Sequence, residues 1–239
     1  MGTKPDGNKR RRLVERLSFF DEIGAGFLSR DEIGRSSASP PAPSGTSGSP
    51  SAGPGLDELS ERILSCRKCG LAAGRTLAVP GEGNPRTGLM FVGEGPGHDE
   101  DVQGRPFVGR AGQLLTKIIS AMSLDRSEVF ITNIVKCRPP GNRVPRRDEV
   151  EACAPYLLEQ IRAIRPRVIV TLGKSAADFF FPDAPLAMTA LRGSFRDWNG
   201  IPVMPTFHPS YLVRNEGNME LKRMVWGDMK KVMALLAGT

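Results

Sequence analysis

The sequence predicts an α/β fold, a three-layer α/β/α arrangement around a central, mainly parallel four-stranded sheet. Four short apolar runs have the length and composition of buried strands: Leu89–Val92, Val129–Thr132, Val168–Leu172 and Ile201–Thr206. The segments between them carry apolar residues at steps of three and four, which is helical periodicity. Strand and helix therefore alternate, and alternation lays the strands mainly parallel with helices on both faces.

Taken in order, residues 1–35 combine a basic run, Lys9–Arg12, with a helix-like stretch around Leu13 and Leu17. A solvated charge run is the expectation there. Ser36–Gly55 contains only Ser, Ala, Pro, Gly and Thr, a composition that buries too little surface to offset its ordering entropy. The expected organisation is thus an extension and flexible linker over 1–55 and one folded domain over 56–239. Leu59 and Ile63 mark a short helix over Leu56–Ser65. The first strand exits into Gly93-Glu94-Gly95-Pro96-Gly97, where glycines let the backbone turn sharply and approach a ligand. The spacing matches neither a P-loop nor a dinucleotide fingerprint. His98–Asp101 reads as a polar loop with His98 solvated. A helix follows, carrying Leu115, Ile118 and Met122 on one face.

The second strand ends at Asn133 and gives way to an Arg- and Pro-rich loop, Lys136–Arg143. Val150, Ala154, Leu157, Ile161 and Ile164 then define a long helix, in which Pro155 predicts a kink or break. The third strand leads into a helix over Gly173–Phe180, and the fourth into Phe207-His208-Pro209-Ser210. Leu221, Val225, Met229, Val232 and Leu236 share one face of the final helix. Ligands of such sheets bind beyond the carboxyl ends of the strands. Those ends deliver Gly93–Gly97, Asn133, Gly173 and His208 to one edge.

The net charge of +7 and pI near 9.5 suit a polyanionic partner. Residues 1–35 hold only +2 of that charge, so most of the excess belongs to the folded part. No run of eighteen apolar residues and no apolar signal region occur, so neither a membrane span nor a secretion signal is expected. In the reducing compartment this implies, the four cysteines are for metal binding or burial rather than disulfides. Cys66 and Cys69 form a C-x-x-C pair, and fifteen residues separate Cys137 from Cys153. Small buried hydrophobes, a structural zinc and an iron–sulfur cluster are all compatible with that spacing.

Four motifs then occur in order: Gly-Glu-Gly-Pro-Gly at 93–97, Gly-Arg-Pro-Phe-Val-Gly at 104–109, Thr-Asn-Ile-Val-Lys-Cys-Arg-Pro-Pro at 132–140 and His-Pro-Ser-Tyr-Leu-Val-Arg at 208–214. Together they resemble the family 4 uracil-DNA glycosylases, over about Leu59 to Leu236. The resemblance implies a monofunctional enzyme of base excision repair that flips uracil out of DNA and hydrolyses its N-glycosidic bond, leaving an abasic site. It also implies a [4Fe–4S] cluster on Cys66, Cys69, Cys137 and Cys153, and a monomer in the prokaryotic cytoplasm, at the nucleoid when acting on DNA. The partner is uracil-containing DNA, single- or double-stranded.

Carried over residue by residue, Phe107 stacks on the flipped base, Asn133 reads its Watson–Crick edge and His208 stands at uracil O2. The backbone of Gly93–Gly95 contacts the uracil, and Glu94 orients water or stabilises the sugar cation. Glu100 crowds uracil C5, or else is one more solvated acid. Leu212 is an apolar wedge into the duplex. Arg138, Arg143, Arg146, Arg147 and Arg214 are phosphate contacts, with Ser210 beside them. Relatives that link covalently to their product carry a histidine-bearing insertion in the loop after the second strand. Residues 138–147 contain no histidine, so ordinary turnover is expected. The alternative from another class is a non-catalytic DNA-damage binder on the same fold.

Overall fold

The computed structural model describes residues 55–184 and 187–238. The extension and linker expected over 1–55 lie, but for Gly55, outside these described residues. In chain order the elements are α1 (Leu56–Leu64), α2 (Leu71–Gly74), β1 (Glu82–Gly83), β2 (Leu89–Gly93), α3 (His98–Gln103), α4 (Arg110–Ala121) and β3 (Phe130–Asn133). There follow α5 (Arg147–Ile164), β4 (Val168–Leu172), α6 (Lys174–Phe180), α7 (Met188–Leu191), β5 (Arg196–Trp198), β6 (Ile201–Thr206), α8 (Pro209–Arg214) and α9 (Met219–Ala237).

One sheet runs β1-β3-β2-β4-β6-β5. Its four central strands are the four expected from the sequence, and all pair parallel. The count of four is corrected to six by the short antiparallel edges β1 and β5. Both edges are partly exposed and too short to leave an apolar signature. Side-chain alternation sorts the core into two layers. Leu89, Phe91, Ile131, Val168, Val170 and Met204 face α4 and α9 with Leu115, Ile119, Val225 and Met229. Met90, Val92, Phe130, Ile169 and Val203 face α1, α5 and α6 with Leu59, Leu157, Ile161 and Phe180.

Two local readings change. His98–Gln103 is a helix rather than a loop. It is held by capping rather than apolar burial: the Glu100 carboxylate accepts from Gly97 N–H at 3.1 Å, and buried Asp101 accepts from Thr76 N–H at 2.9 Å. At Pro155 the expected break does not occur, and one helix runs from Arg147 to Ile164. Cys153, Tyr156, Leu157, Gln160 and Ile161 are buried on its inner face, and this packing holds the helix across the missing backbone bond.

The register brings the strand ends level. Gly93 pairs with Asn133 and Leu172 with Thr206. β2 and β4 are neighbours whose outgoing connections leave in opposite directions, which opens a crevice at their carboxyl ends.

Candidate active site

A cavity of about 510 Å³ occupies that crevice. Its walls bring together Glu94, Gly95, Glu100, Phe107, Asn133 and His208, residues spread over more than a hundred positions of sequence. The β2 and β3 exits are tied by Ile134 N–H to Gly93 O at 2.9 Å and Val135 N–H to Glu94 O at 3.1 Å.

Asn133 is 2% exposed, and its Oδ1 is buried with no hydrogen-bond partner. A buried acceptor without a partner costs about 1–3 kcal/mol, so the atom is kept for something that arrives. Gly93 makes room for it: a Cβ there would lie far inside 3.0 Å of both Asn133 Oδ1 and Phe107 Cζ. Phe107 itself sits at a left-handed backbone angle, φ 51°, unusual for a bulky residue and a mark of stored strain. Two groups hold it there. Arg126 donates to the carbonyls of Pro106 (2.7 Å) and Phe107 (3.1 Å), while the Glu100 carboxylate accepts from Val108 and Gly109 N–H at 2.8 and 2.9 Å. Glu82 in turn holds Arg126 at 2.6 Å and Arg105 at 2.8 Å. Burial pushes the Glu82 carboxyl up, and hydrogen bonds from Arg105 and Arg126 more than offset this, leaving it below the usual range. Glu100 is therefore not a solvated acid; it braces the turn that presents Phe107.

His208 packs beside Phe107, with ring centroids 5.7 Å apart. Gly173, at φ 89°, lets β4 end against it; a Cβ at Gly173 would meet His208 Cβ at 2.9 Å. His208 Nδ1 accepts from Ser210 N–H at 3.0 Å and lies 2.8 Å from Ser210 Oγ. The ring proton therefore sits on Nε2. Burial, reinforced by Arg214, pulls the imidazole down to about 4, so the ring is neutral at physiological pH. The site thus holds a neutral imidazole whose Nε2–H has no partner among the described residues.

Opposite, Ser175 Oγ donates to the Glu94 carboxylate across 81 positions of sequence. Ser175 and Lys174, from the start of α6, line the cavity and were missed by the sequence reading. The only available signal was their place after the β4 exit at Gly173.

A family model described as the uracil DNA glycosylase superfamily matches residues 80–230. The type-4 uracil-DNA glycosylase of Thermotoga maritima is 49% identical over 182 residues, 76% of this chain and 94% of its own. That of Saccharolobus solfataricus is 44% identical over 190 residues, covering 76% and 87%. The type-5 uracil-DNA glycosylase of Pyrobaculum aerophilum reaches 28% over 200 residues, covering 70% and 88%. The chain belongs to the uracil DNA glycosylase superfamily.

In this superfamily member the basic loop after β3 divides by partner. Arg143 makes a two-pronged pair with Glu149, at 2.8 and 2.6 Å, and Arg146 and Arg147 pair with Asp148 and Glu151. Hydrogen bonding from Arg143 holds the buried Glu149 carboxyl down at about 2, against its burial. Arg143 thus pins the loop to α5. Arg138 instead donates to Asn142 at 2.8 Å and lies 3.1 Å from His98 Nδ1, while Arg214 donates to Ser210 Oγ at 3.3 Å. Among the described residues neither of these two pairs with a carboxylate. His98 is exposed, as expected, though engaged by Arg138.

The reading of Leu212 as a wedge is corrected. Its side chain is 1% exposed and packs in the core between α8 and α4, because α8 turns that face inward. The exposed apolar side chains near the cavity are Val144, at 64%, and Tyr211, at 40%.

Cys66, Cys69, Cys137 and Cys153 line one small separate cavity that shares no residue with the first. Arg75 donates to Cys137 Sγ at 3.0 Å, and Lys136 N–H to Cys153 Sγ at 3.3 Å. Among the described residues no group of three or more His, Cys, Asp or Glu is arranged to hold a metal ion. Between the two cavities Lys136, 1% exposed, donates from Nζ to Asn133 O (2.7 Å), Thr132 Oγ1 (2.6 Å) and Gln160 Oε1 (2.7 Å).

Proposed function

We propose that this chain is a uracil-DNA glycosylase that hydrolyses the bond between uracil N1 and the deoxyribose C1′, leaving an abasic site. The observation that carries this reading is the buried, unpartnered Asn133 Oδ1 in a cavity shared with Phe107 and a neutral His208. A uracil swung out of the helix supplies what that atom lacks: N3–H donates to Asn133 Oδ1, and the Asn133 NH₂ donates to O4. Cytosine presents the opposite pattern and leaves both groups unmatched. Phe107 stacks on the base, worth about 1–3 kcal/mol, and the backbone of Gly93 to Gly95 lies along its edge. Glu100, braced on the Phe107 turn, walls off the space a 5-methyl group would need.

As the glycosidic bond lengthens, its electron pair moves onto the uracil and charge gathers at O2. His208 Nε2–H donates there, and a preorganised donor of this kind is worth about 3–4 kcal/mol. A neutral imidazole suits the task because Nδ1 must remain an acceptor for Ser210. Glu94, held by Ser175, accepts a hydrogen bond from the attacking water; its oxygen bonds to C1′ and the carboxylate takes its proton. Gly95 offers no side chain for that role. Arg138 and Arg214 contact backbone phosphates, and Arg143, Arg146, Arg147 and Lys174, already paired with carboxylates, contribute less. Val144 is the apolar side chain at the rim suited to fill the space the base vacates.

Cys66, Cys69, Cys137 and Cys153 would hold a [4Fe–4S] cluster. Four thiols lining one cavity, two of them a C-x-x-C pair, are the donor set such a cluster takes. When bound, the cluster supplies iron–thiolate cross-links between the end of α1, the β3 exit and α5.

The test is incubation with a labelled oligonucleotide carrying one uracil, followed by alkali. Cleavage at that position, and only after alkali, is the expected result. An intact strand after prolonged incubation with iron-replete protein would remove the reading.

A further inference from the structure

A second cavity, of about 150 Å³, lies across the α4–α8 contact from the first. Arg110, Lys117 and Lys222 line it with Gln113, and Glu216 is the one acid among them. Lys222 stands out. It is 7% exposed, yet no carboxylate or hydrogen-bond acceptor among the described residues pairs with it. Arg110 also has no ion pair among them.

Lys222 lies in the first turn of α9, the end of a helix that disfavours a cation, where Asn218 Oδ1 already accepts from Glu220 and Leu221 N–H. Arg110 is the first residue of α4, a second helix start on the same cavity. The Lys222 stem is buried but its Nζ is not among the buried unpartnered atoms, so the ammonium opens onto the cavity beside Arg110 and Lys117, three cations against the one carboxylate of Glu216, a setting that suits an anion from outside.

The position says which anion. Neighbouring residues of α4 divide between the cavities, Ala111 lining the first and Arg110 the second. On α8, Ser210 and Arg214 line the first, and Leu212 and Val213 the second. A strand whose uracil occupies the first cavity carries a charge about every 3.4 Å of its length and so passes the second within a few nucleotides.

We propose that the cavity formed by Arg110, Lys117 and Lys222 binds a phosphodiester of the DNA backbone a few nucleotides from the flipped uracil. The inference rests on the glycosylase reading above. It extends the DNA path over α4 and the start of α9, beyond the loops that carry the sequence motifs.

The experiment uses the full chain and a single strand carrying a tetrahydrofuran abasic analogue, with affinity measured against salt. Lys222→Gln and Arg110→Gln should each flatten the plot of log affinity against log salt by about one unit, and the double variant by about two. Lys230→Gln, an exposed lysine of α9 outside both cavities, serves as control and should not. In turnover the loss should fall on KM rather than kcat. Shortening the strand until it no longer reaches the cavity should erase the difference between native and variant protein. Competition by inorganic phosphate that is equally strong against long and short strands would assign the cavity to free phosphate instead. Native slope and affinity in the double variant, with wild-type uracil excision intact, would overturn the proposal and leave the glycosylase reading standing. Arg110 is exposed, so its variant decides the matter even where Lys222→Gln folds poorly. Absent excision by the wild-type protein is the separate failure of the glycosylase reading.

Discussion

The two cavities on either side of residues 133–137 are finished in opposite ways. At the strand ends, an acceptor on Asn133 is left without a partner, and Phe107 is held at a strained backbone angle by Arg126 and Glu100. At the cysteines, Arg75 and the Lys136 N–H already donate to Cys137 and Cys153, and Cys137 and Cys153 belong to the hydrophobic core. A site that binds and releases must keep unmet hydrogen-bonding capacity, at a cost in stability. A site built around a resident group need not. Lys136 joins the two, holding the carbonyl of Asn133 with its side chain and Cys153 with its backbone.

Perturbing each side separately sharpens the contrast. His208→Asn removes the Nε2–H donor; kcat should fall about 10²–10³-fold, with iron content and melting temperature near native. Cys69→Ala should do the reverse, lowering stability by about 3 kcal/mol and stripping iron and acid-labile sulfide before the chemistry is touched. Native protein should be brown. A colourless, zinc-loaded protein with full activity would contradict the cluster and collapse the contrast.

Lys136→Met tests the joint. It frees the Asn133 carbonyl, so kcat should drop about tenfold and the preference for uracil over cytosine should narrow while iron stays bound. A change in melting temperature alone would make Lys136 a core residue and nothing more.

The smallest effect is on acid stability. His208 titrates near 4 when folded, below its unfolded value of about 6.5, so the unfolded chain takes the proton first. Stability should fall as pH drops from about 6.5 to 4, by about 1 kcal/mol after allowing for the ring's partial exposure. Denaturant melts of His208→Asn should lack that limb.

Much of this was legible in the sequence. The central strands are buried on both faces and so write continuous apolar runs, and the residues at their ends are the residues lining the cavity. What escaped was of two kinds. β1 and β5 are two and three residues long, and α3 is a six-residue helix with Asp99, Glu100 and Asp101 in its first turn, so neither hydrophobicity nor period announced them. The supports of the site come from afar: Ser175 reaches Glu94, and Glu82 reaches Arg126 over 44 positions, through contacts no local spacing encodes. Leu212 shows the converse error. A family motif marked its place, but only packing reveals that α8 turns it inward.

Asn133 is the proposed reader of the base, and Asn133→Asp tests that role most directly. The substitution removes the NH₂ that donates to uracil O4 and supplies an acceptor for cytosine N4–H₂. Excision should be measured on matched single strands carrying one uracil or one target cytosine, so that unpairing costs are equal. The expected result is loss of most uracil excision, at least about 100-fold, and the appearance of weak cytosine excision at unchanged iron content. Uracil excision at the native rate would contradict it, and the assignment of the whole pocket would fall with it.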